Sequence, residues 1–280
     1  MVLPNKTCGA YCQVGGFVFN YHVMNSDLFD LTGKTAVVTG GSRGIGYAIA
    51  HGMAMHGADI ALVARGKEQL DQAAERIARQ AGRKVRTFAC DLALTNGIEG
   101  LFNQIVRQTS GVDILVNCAG VTIRGRAEDL DVETWSKVHD VNLLSVLVMS
   151  QAFCRHCRAQ SRPGRIINIG SLTCHAARAN TAAYGSSKAG VLSLTKTLAV
   201  EWAKYNINVN AIGPGYIATE LTKPLWTDKE FDKWVLSKTP IGRWGKPEDL
   251  AGVAVLLASK ASEFITGQII YVDGGWLAQL

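Results

Sequence analysis

Residues 34–50 read KTAVVTGGSRGIGYAIA, and this stretch decides the fold. The run TAVVT is apolar and rich in β-branched residues, which is typical of a buried strand. Glycines at positions 40, 44 and 46 then allow a tight turn whose backbone another group can approach closely. A helix-like stretch, IGYAIAHGMAMHG, follows at once. The sequence therefore predicts a strand, a glycine turn and a helix in succession, the opening unit of a parallel α/β sheet.

Further apolar runs follow along the chain, and helical patterns separate most of them. The strand candidates are DIALVA (59–64), KVRTFA (84–89), DILVN (113–117), RIINI (165–169), NINVNAI (206–212) and QIIYVD (268–273). Near-continuous apolar strands that alternate with helices predict a parallel sheet covered by helices on both faces. We therefore predict a single α/β domain of the doubly wound Rossmann type.

The predicted domain covers residues 24–280. Residues 1–23 precede it, with a weak apolar stretch but no convincing signal-peptide core or cleavage site. We predict that this extension is disordered and lies outside the fold. No apolar run in the chain reaches transmembrane length, and we expect a cytoplasmic protein without a membrane partner.

The composition limits the classes of function. The 280 residues include 29 Lys and Arg against 23 Asp and Glu, which gives a net charge of +6. Because the basic residues are scattered, the charge indicates an enzyme that binds anionic ligands rather than a nucleic-acid-binding protein. Seven cysteines in a long chain predict reduced thiols rather than a disulfide scaffold. The histidines lack the spacing of a metal site, so no metal is expected.

The glycine turn is a candidate phosphate site. The amides and the positive dipole end of the following helix point at whatever lies beside the turn, which suits a pyrophosphate. Its spacing is G-x-x-x-G-x-G, and the flanking strand and helix favour a dinucleotide site over a purely structural turn. The residues expected to contact the cofactor here are Gly40, Ser42, Arg43, Gly44, Ile45 and Gly46.

The end of the second strand indicates which dinucleotide is bound. An NAD site usually has Asp or Glu near this position for the ribose 2′-hydroxyl, but here Ala64 is followed by Arg65. Arg43 lies in the glycine turn, and two guanidinium groups without a carboxylate suit a 2′-phosphate. We predict NADP, with NAD as the alternative if both arginines are merely solvated.

Polar and small residues also follow the third and fourth strands. Asp91 and Leu92 follow the third strand, and Asn117, Ala119 and Gly120 close the fourth. The carboxyl ends of parallel strands are where the adenine and ribose of a dinucleotide would lie, so these residues are expected to bind the cofactor. Each of them taken alone is equally consistent with a turn or cap residue.

Other motifs follow the glycine turn in a fixed order. They are Asn117-Cys118-Ala119-Gly120, Asn142 in DVNLLS, Ser171 in INIGS, Tyr184-Gly185-Ser186-Ser187-Lys188, and Pro214-Gly215. With these motifs the chain resembles the short-chain dehydrogenase/reductase family over residues 30–276; Cys118 replaces a commoner Asn. The resemblance implies a seven-stranded parallel sheet, a hydride-transfer activity and a homotetramer.

The resemblance also implies catalytic roles. Tyr184 would exchange a proton with the substrate oxygen, and Ser171 would hold that oxygen. Lys188, one helical turn after Tyr184, would bind the nicotinamide ribose, and Asn142 would anchor a water of the proton path. We predict that the charge of Lys188 lowers the pKa of Tyr184 below its ordinary value of about 10. The alternative is a surface Tyr–Lys pair at ordinary helical spacing.

The resemblance places further cofactor contacts after the sixth strand. Pro214 and Gly215 would cover the nicotinamide, and Ile217 and Thr219 would contact its carboxamide. Residues 216–240 correspond to the variable lid of the family. Trp226 and Trp234 are predicted either to close over the substrate or to pack the lid on the body or a neighbouring subunit.

Several segments, among them PGYIATELTKPL and RWGKPEDLAG, resemble the subgroup that interconverts gluconate and 5-keto-gluconate. A sugar acid needs a cation for its carboxylate, and Arg124, with Arg126 as second candidate, is expected to supply it beside Ser171 and Tyr184. The subgroup often has adjacent arginines where this chain has Ile123-Arg124. The alternatives are a reductase of 3-oxoacyl thioesters or other ketones and, in a different class, a non-catalytic NADPH-binding regulator.

Overall fold

A computed structural model of the chain describes residues 10–14, 17–21 and 27–279. The strands in these ranges are β1 (Ala10–Val14), β2 (Phe17–Tyr21), β3 (Thr35–Thr39), β4 (Asp59–Ala64), β5 (Val85–Ala89), β6 (Ile114–Asn117), β7 (Gly164–Ile169), β8 (Ile207–Pro214) and β9 (Ile269–Val272). Strands β3 to β9 form one sheet in the order β5-β4-β3-β6-β7-β8-β9, and every neighbouring pair is parallel. All seven strands predicted from the sequence are confirmed.

Helices connect these strands. They are α1 (Gly44–Met55), α2 (Lys67–Ala81), α3 (Ile98–Thr109), α4 (Val132–His139), α5 (Ser145–Ala159), α6 (Ala182–Trp202), α7 (Lys223–Trp226), α8 (Lys229–Lys238) and α9 (Ala251–Ala258). A π-helical turn, Asp140–Leu144, lies between α4 and α5. None of the described helices combines the length and the apolar character needed to cross a membrane.

The sheet is buried on both faces, as its apolar strands require. In β3, Ala36 and Val38 belong to a core that includes α1, α2 and α9. Val37, between them, belongs to a second core that includes α3, α5 and α6. Because successive side chains of a strand point to opposite faces, this division shows that helices cover both sides. The predicted doubly wound α/β architecture is confirmed.

A second, two-stranded sheet lies in the N-terminal extension. Strands β1 and β2 pair antiparallel, with Val14 opposite Phe17 and Ala10 opposite Tyr21. The prediction of disorder for residues 1–23 did not anticipate this hairpin. The rest of that prediction falls on residues 1–9, 15–16 and 22–23, which lie outside the described residues, as do residues 24–26.

Candidate active site

The order in which strands are added to the sheet reverses between β3 and β6, and a cleft opens at the carboxyl ends of the strands there. After β3 the strand order runs outward through β4 and β5, and the chain then returns to β6 on the other side. The connections on the two sides diverge at such a point and leave a crevice. The cleft has a volume of about 410 Å³ and is lined by residues from both halves of the sheet.

The glycine turn forms the floor of one end of this cleft. Gly40 has φ +67°, and a Cβ there would lie 3.0 Å from the backbone nitrogen of Ala119. A Cβ on Gly46 would overlap the carbonyl group of Gly40. The hydroxyl of Thr39 accepts hydrogen bonds from the amides of Cys118 (2.9 Å) and Ala119 (3.1 Å), which joins the ends of β3 and β6. The turn is therefore packed to a shape that only glycines permit, with the N-terminus of α1 beside it.

Two cations lie at the same end. Arg43 and Arg65 are both exposed and both line the cleft, next to Ala64 at the end of β4. Within the described residues neither guanidinium has a carboxylate at ion-pair distance, as the ion pairs found involve other cations. An elongated cleft with a glycine floor, a helix N-terminus and two unpaired arginines has the donor set that a phosphorylated dinucleotide requires.

Most of the residues predicted to bind the cofactor line this one cleft. They are Gly40, Ser42, Arg43, Gly44, Ile45, Gly46, Arg65, Asp91, Leu92, Ala119, Gly120, Tyr184, Lys188, Pro214, Gly215, Ile217 and Thr219. Sequence reasoning missed other lining residues, including Gly66, Gln69, Val121, Val141, Gly170 and Thr222. Several of them directly adjoin the motifs, so the strand-end rule that found Asp91 could have found Gly66 and Gly170 as well.

Asn117 is placed differently from its prediction and does not line the cleft. Its side chain is buried and donates hydrogen bonds to the Ser150 hydroxyl (3.1 Å) and to Oδ1 of Asn168 (2.9 Å). As the last residue of β6, it takes the side-chain direction set by strand alternation, which points it at α5. The Asn117 side chain therefore joins β6, β7 and α5 next to the site, and the contact of Asn117 with the cofactor stays a prediction.

Tyr184 and Ser171 meet at the other end of the cleft. Tyr184 lies in the first turn of α6, and Ser171 follows β7; both line the cleft. Burial raises the pKa of the Tyr184 phenol above 10, and a hydrogen bond with the Ser171 hydroxyl opposes that rise. The prediction that Lys188 lowers this pKa is wrong for the structure described, because the cost of burying a phenolate outweighs the favourable contacts.

Lys188 lies beneath Tyr184 and is itself buried. Its ammonium donates a hydrogen bond to the carbonyl of Ile169 at 2.6 Å and lies 6.0 Å from the centre of the Tyr184 ring. Burial lowers the pKa of Lys188, and interactions with Cys118 and Cys174 oppose this fall. The pair is thus inside the cleft rather than on the surface, and the alternative of a solvated Tyr–Lys pair is excluded.

Asn142 supports this end of the site from behind. It lies in the π-helical turn, a feature that is often found at functional sites. Its Oδ1 accepts a hydrogen bond from the Val121 amide (2.8 Å), and its Nδ2 donates to the Val121 carbonyl (2.9 Å) and the Ser187 hydroxyl (3.0 Å). Asn142 does not line the cleft, and its side chain joins the loop after β6 to α6.

The segment after β8 crosses the cleft. Thr219 lies close to the glycine turn, with its methyl group 3.5 Å from where a Cβ on Gly44 would be. The hydroxyl of Thr222 donates to the Ile217 carbonyl (2.6 Å) and accepts from the Thr219 amide (2.9 Å). These hydrogen bonds stabilise the segment, called the cover segment here. It extends across the cleft from the end with Tyr184 to the end with the glycine turn.

The two candidate carboxylate-binding arginines behave differently. Arg126 is exposed and forms ion pairs with Glu128 and Asp129, and its part in substrate binding stays a prediction. Arg124 lies outside the cleft lining, yet it interacts electrostatically with Tyr184, Tyr216 and Arg178. Burial lowers the pKa of Arg124, and the charge of Arg178 adds to this effect. Arg178 was not predicted, because it lies in a loop without a recognisable motif.

The tryptophans of the lid have separate surroundings. Trp234 belongs to an aromatic cluster, in which it contacts Tyr216, Phe231 and Trp276. The cluster is defined here as Tyr216, Phe231, Trp234, Trp244 and Trp276. Because Trp276 follows β9, this contact packs the lid on the body of the same chain. Trp226 donates a hydrogen bond to the Thr219 carbonyl at 3.3 Å and so braces the cover segment from outside.

Comparison with known proteins agrees with this geometry. A family model described as enoyl-(acyl carrier protein) reductase matches residues 40–277. Over 253 residues the chain is 42% identical to 2-dehydro-3-deoxy-D-gluconate 5-dehydrogenase of Escherichia coli (strain K12), which covers 90% of this chain and 98% of that protein. The chain belongs to the short-chain dehydrogenase/reductase family. The matching family model is named for a reductase and the relatives for dehydrogenases, so the predicted enzyme class, an oxidoreductase, is confirmed.

Two further similar proteins within the short-chain dehydrogenases/reductases are both named gluconate 5-dehydrogenase. The gluconate 5-dehydrogenase of Gluconobacter oxydans (strain 621H) is 39% identical over 249 residues, which are 89% of this chain and 96% of that protein. The crystal structure of a gluconate 5-dehydrogenase from Burkholderia cenocepacia J2315, in complex with NADP and tartrate, has a TM-score of 0.87. That protein is 37% identical, and the match covers 91% of this chain and 99% of that one.

Proposed function

We propose that this chain is an NADP-dependent oxidoreductase that interconverts the secondary alcohol and the ketone of a sugar acid, such as gluconate and 5-keto-gluconate. The observation that carries this proposal is one continuous cleft. Arg43, Arg65 and the glycine turn lie at one end of it, and Tyr184 and Ser171 meet at the other. The relatives named for gluconate and 2-dehydro-3-deoxy-D-gluconate support a sugar acid as the substrate.

Tyr184 and Ser171, at the catalytic end of the cleft, would carry out the proton transfer. The bound nicotinamide cofactor supplies or accepts the hydride. In ketone reduction, the Tyr184 hydroxyl donates its proton to the substrate oxygen while the Ser171 hydroxyl hydrogen-bonds the same oxygen. A raised pKa keeps Tyr184 protonated at neutral pH, which suits this direction. For alcohol oxidation the phenol must lose its proton, so activity in that direction should increase as the pH rises.

The predicted preference for NADP can be tested at the two unpaired arginines. Replacement of Arg43 or Arg65 by Ala should lower kcat/KM for NADPH by roughly tenfold and leave that for NADH nearly unchanged, because only NADPH carries the 2′-phosphate. The measurement is the kcat/KM ratio of the two cofactors. Arg79→Ala, on the outer part of α2, is the matched control. A wild type with a clear preference for NADH would contradict the proposal.

The substrate can be tested by NADPH oxidation with a panel of ketones. We expect 5-keto-gluconate or another keto-sugar acid to give the highest kcat/KM. A higher value for acetoacetyl thioesters or a cyclic ketone would assign the enzyme to the alternative ketone reductases. NADPH binding without turnover of any ketone would favour the non-catalytic regulator.

We also propose a homotetramer, which rests on the family resemblance. In the described sheet β9 forms one end and its outer edge is unpaired, which leaves this side of the chain open to a neighbouring copy. Light scattering that reports a monomer at micromolar concentration would contradict this assembly. The cytoplasmic location stays a prediction that cell fractionation can test.

A further inference from the structure

Arg178 and Arg124 are brought together beside the catalytic end of the cleft. Arg178 lies in the loop between Ser171 and Tyr184, and Arg124 lies in the loop after β6. A backbone hydrogen bond from the Gly125 amide to the Asn180 carbonyl (3.2 Å) holds these two loops side by side. Arg124 interacts electrostatically with Arg178 and with Tyr184, so the two arginines form one basic region next to the Tyr184 end of the cleft.

The aromatic cluster holds Arg178 in a defined orientation. The guanidinium carbon lies 4.2 Å from the ring centre of Phe231, 5.9 Å from that of Trp234 and 6.0 Å from that of Tyr216. One of its terminal nitrogens also lies 3.5 Å from the Tyr216 hydroxyl. A guanidinium that stacks on rings through its face keeps N–H groups at its edge for a carboxylate.

Neither arginine has an acidic partner. In the described part of the chain no carboxylate lies within ion-pair distance of Arg124 or Arg178, whereas Arg126, Arg162 and Arg243 each have at least one. The charge of Arg178 disfavours the charged form of Arg124, as expected for two cations that repel each other. Two adjacent positive charges without a counter-ion form a site to which an anion would bind favourably.

We propose that Arg178 is a specificity-determining residue that binds the carboxylate of the substrate together with Arg124, and that the aromatic cluster positions it. This inference rests on the proposed function for the identity of the ligand, a sugar acid. It explains how the site would distinguish a sugar acid from the neutral sugar alcohol of the same length. Phe231 and Trp234 belong to α8, a helix of the lid. The Arg178 guanidinium would therefore contact the bound carboxylate and the lid at the same time.

Calorimetric titration of the enzyme–NADPH complex with gluconate tests this proposal. The complex is non-reactive because cofactor and ligand are both reduced. Arg178→Met removes the charge and keeps an apolar side chain for the aromatic rings. We expect it to raise the Kd of gluconate about 30-fold and to leave the Kd of D-glucitol, the neutral counterpart, and that of NADPH within threefold. Arg155→Met, at an exposed position of α5 where the arginine pairs with Glu99, should change none of these values.

The outcomes separate this inference from the proposed function. An unchanged Kd of gluconate in Arg178→Met, or an equal weakening of gluconate and D-glucitol together with a lower Tm, would overturn the inference and indicate a structural role. Partial rescue of gluconate binding in Arg178→Lys would support it, since a lysine restores the charge without the planar stack. A wild type that binds gluconate through Arg178 yet reduces no keto-sugar acid would retain the anion site and refute the proposed function.

Discussion

Replacement of Tyr184 by Phe is expected to lower kcat about 10³-fold, within the range that a positioned acid or base contributes. The change removes one oxygen from a side chain in the first turn of α6 and retains its ring. Ser171 remains to hold the substrate oxygen, but the phenol proposed to supply the proton is gone. The affinity for NADPH should stay within about threefold of the wild type, because the glycine turn and the two arginines are untouched.

The measurements are NADPH absorbance for turnover and NADPH fluorescence titration for binding. Tyr205→Phe is a suitable control, since this phenol packs under Arg158, 4.4 Å from the ring centre, and does not line the cleft. Its activity should match the wild type. Activity of Tyr184→Phe within tenfold of the wild type would refute the acid/base role of Tyr184.

The second large effect is expected at Gly46. An alanine there would place its Cβ against the carbonyl group of Gly40, where neither backbone can yield without opening the glycine turn. We expect the Kd of NADPH to rise about 100-fold, because the turn would no longer present its amides to the pyrophosphate. The crowding should also cost about 1–3 kcal/mol of stability and so lower the Tm.

Gly100→Ala provides the matched control for this variant. Gly100 is an exposed residue of α3, and a Cβ there meets nothing within 4 Å. Alanine at such a helical position should stabilise the protein by about 0.5–1 kcal/mol and leave NADPH binding unchanged. If Gly46→Ala binds NADPH as the wild type does, the glycine turn is not the phosphate site.

The strands and the ends of the cleft could be predicted because their signals are local. Each buried strand is a short apolar run, and the residue after it falls at the carboxyl edge of the sheet whatever the rest of the chain does. The same rule placed Asp91 and Ser171 correctly on the cleft. It did not predict the side-chain direction of Asn117, because that residue still belongs to its strand and follows the alternation of the sheet.

Features that depend on distant contacts could not be predicted. The direction of the Tyr184 pKa is set by burial, which elements far apart in the chain create around it. Arg178 contacts the rings of Tyr216, Phe231 and Trp234. Along the chain, the whole of α6 and β8 separates these residues from Arg178. No local pattern around Arg178 contains that information.

The π-helical turn at Asp140–Leu144 also fixes the rotational phase of the helix after it. A π turn contains one residue more than an α turn, and each residue rotates an α-helix by about 100°. Met149, Phe153 and Cys157 form the stripe of α5 that is buried against the sheet. Loss of one residue from the turn would rotate this stripe by over a quarter of a circle. The additional residue of the π turn, which contains the Asn142 that contacts Val121, therefore also determines which side of α5 is buried.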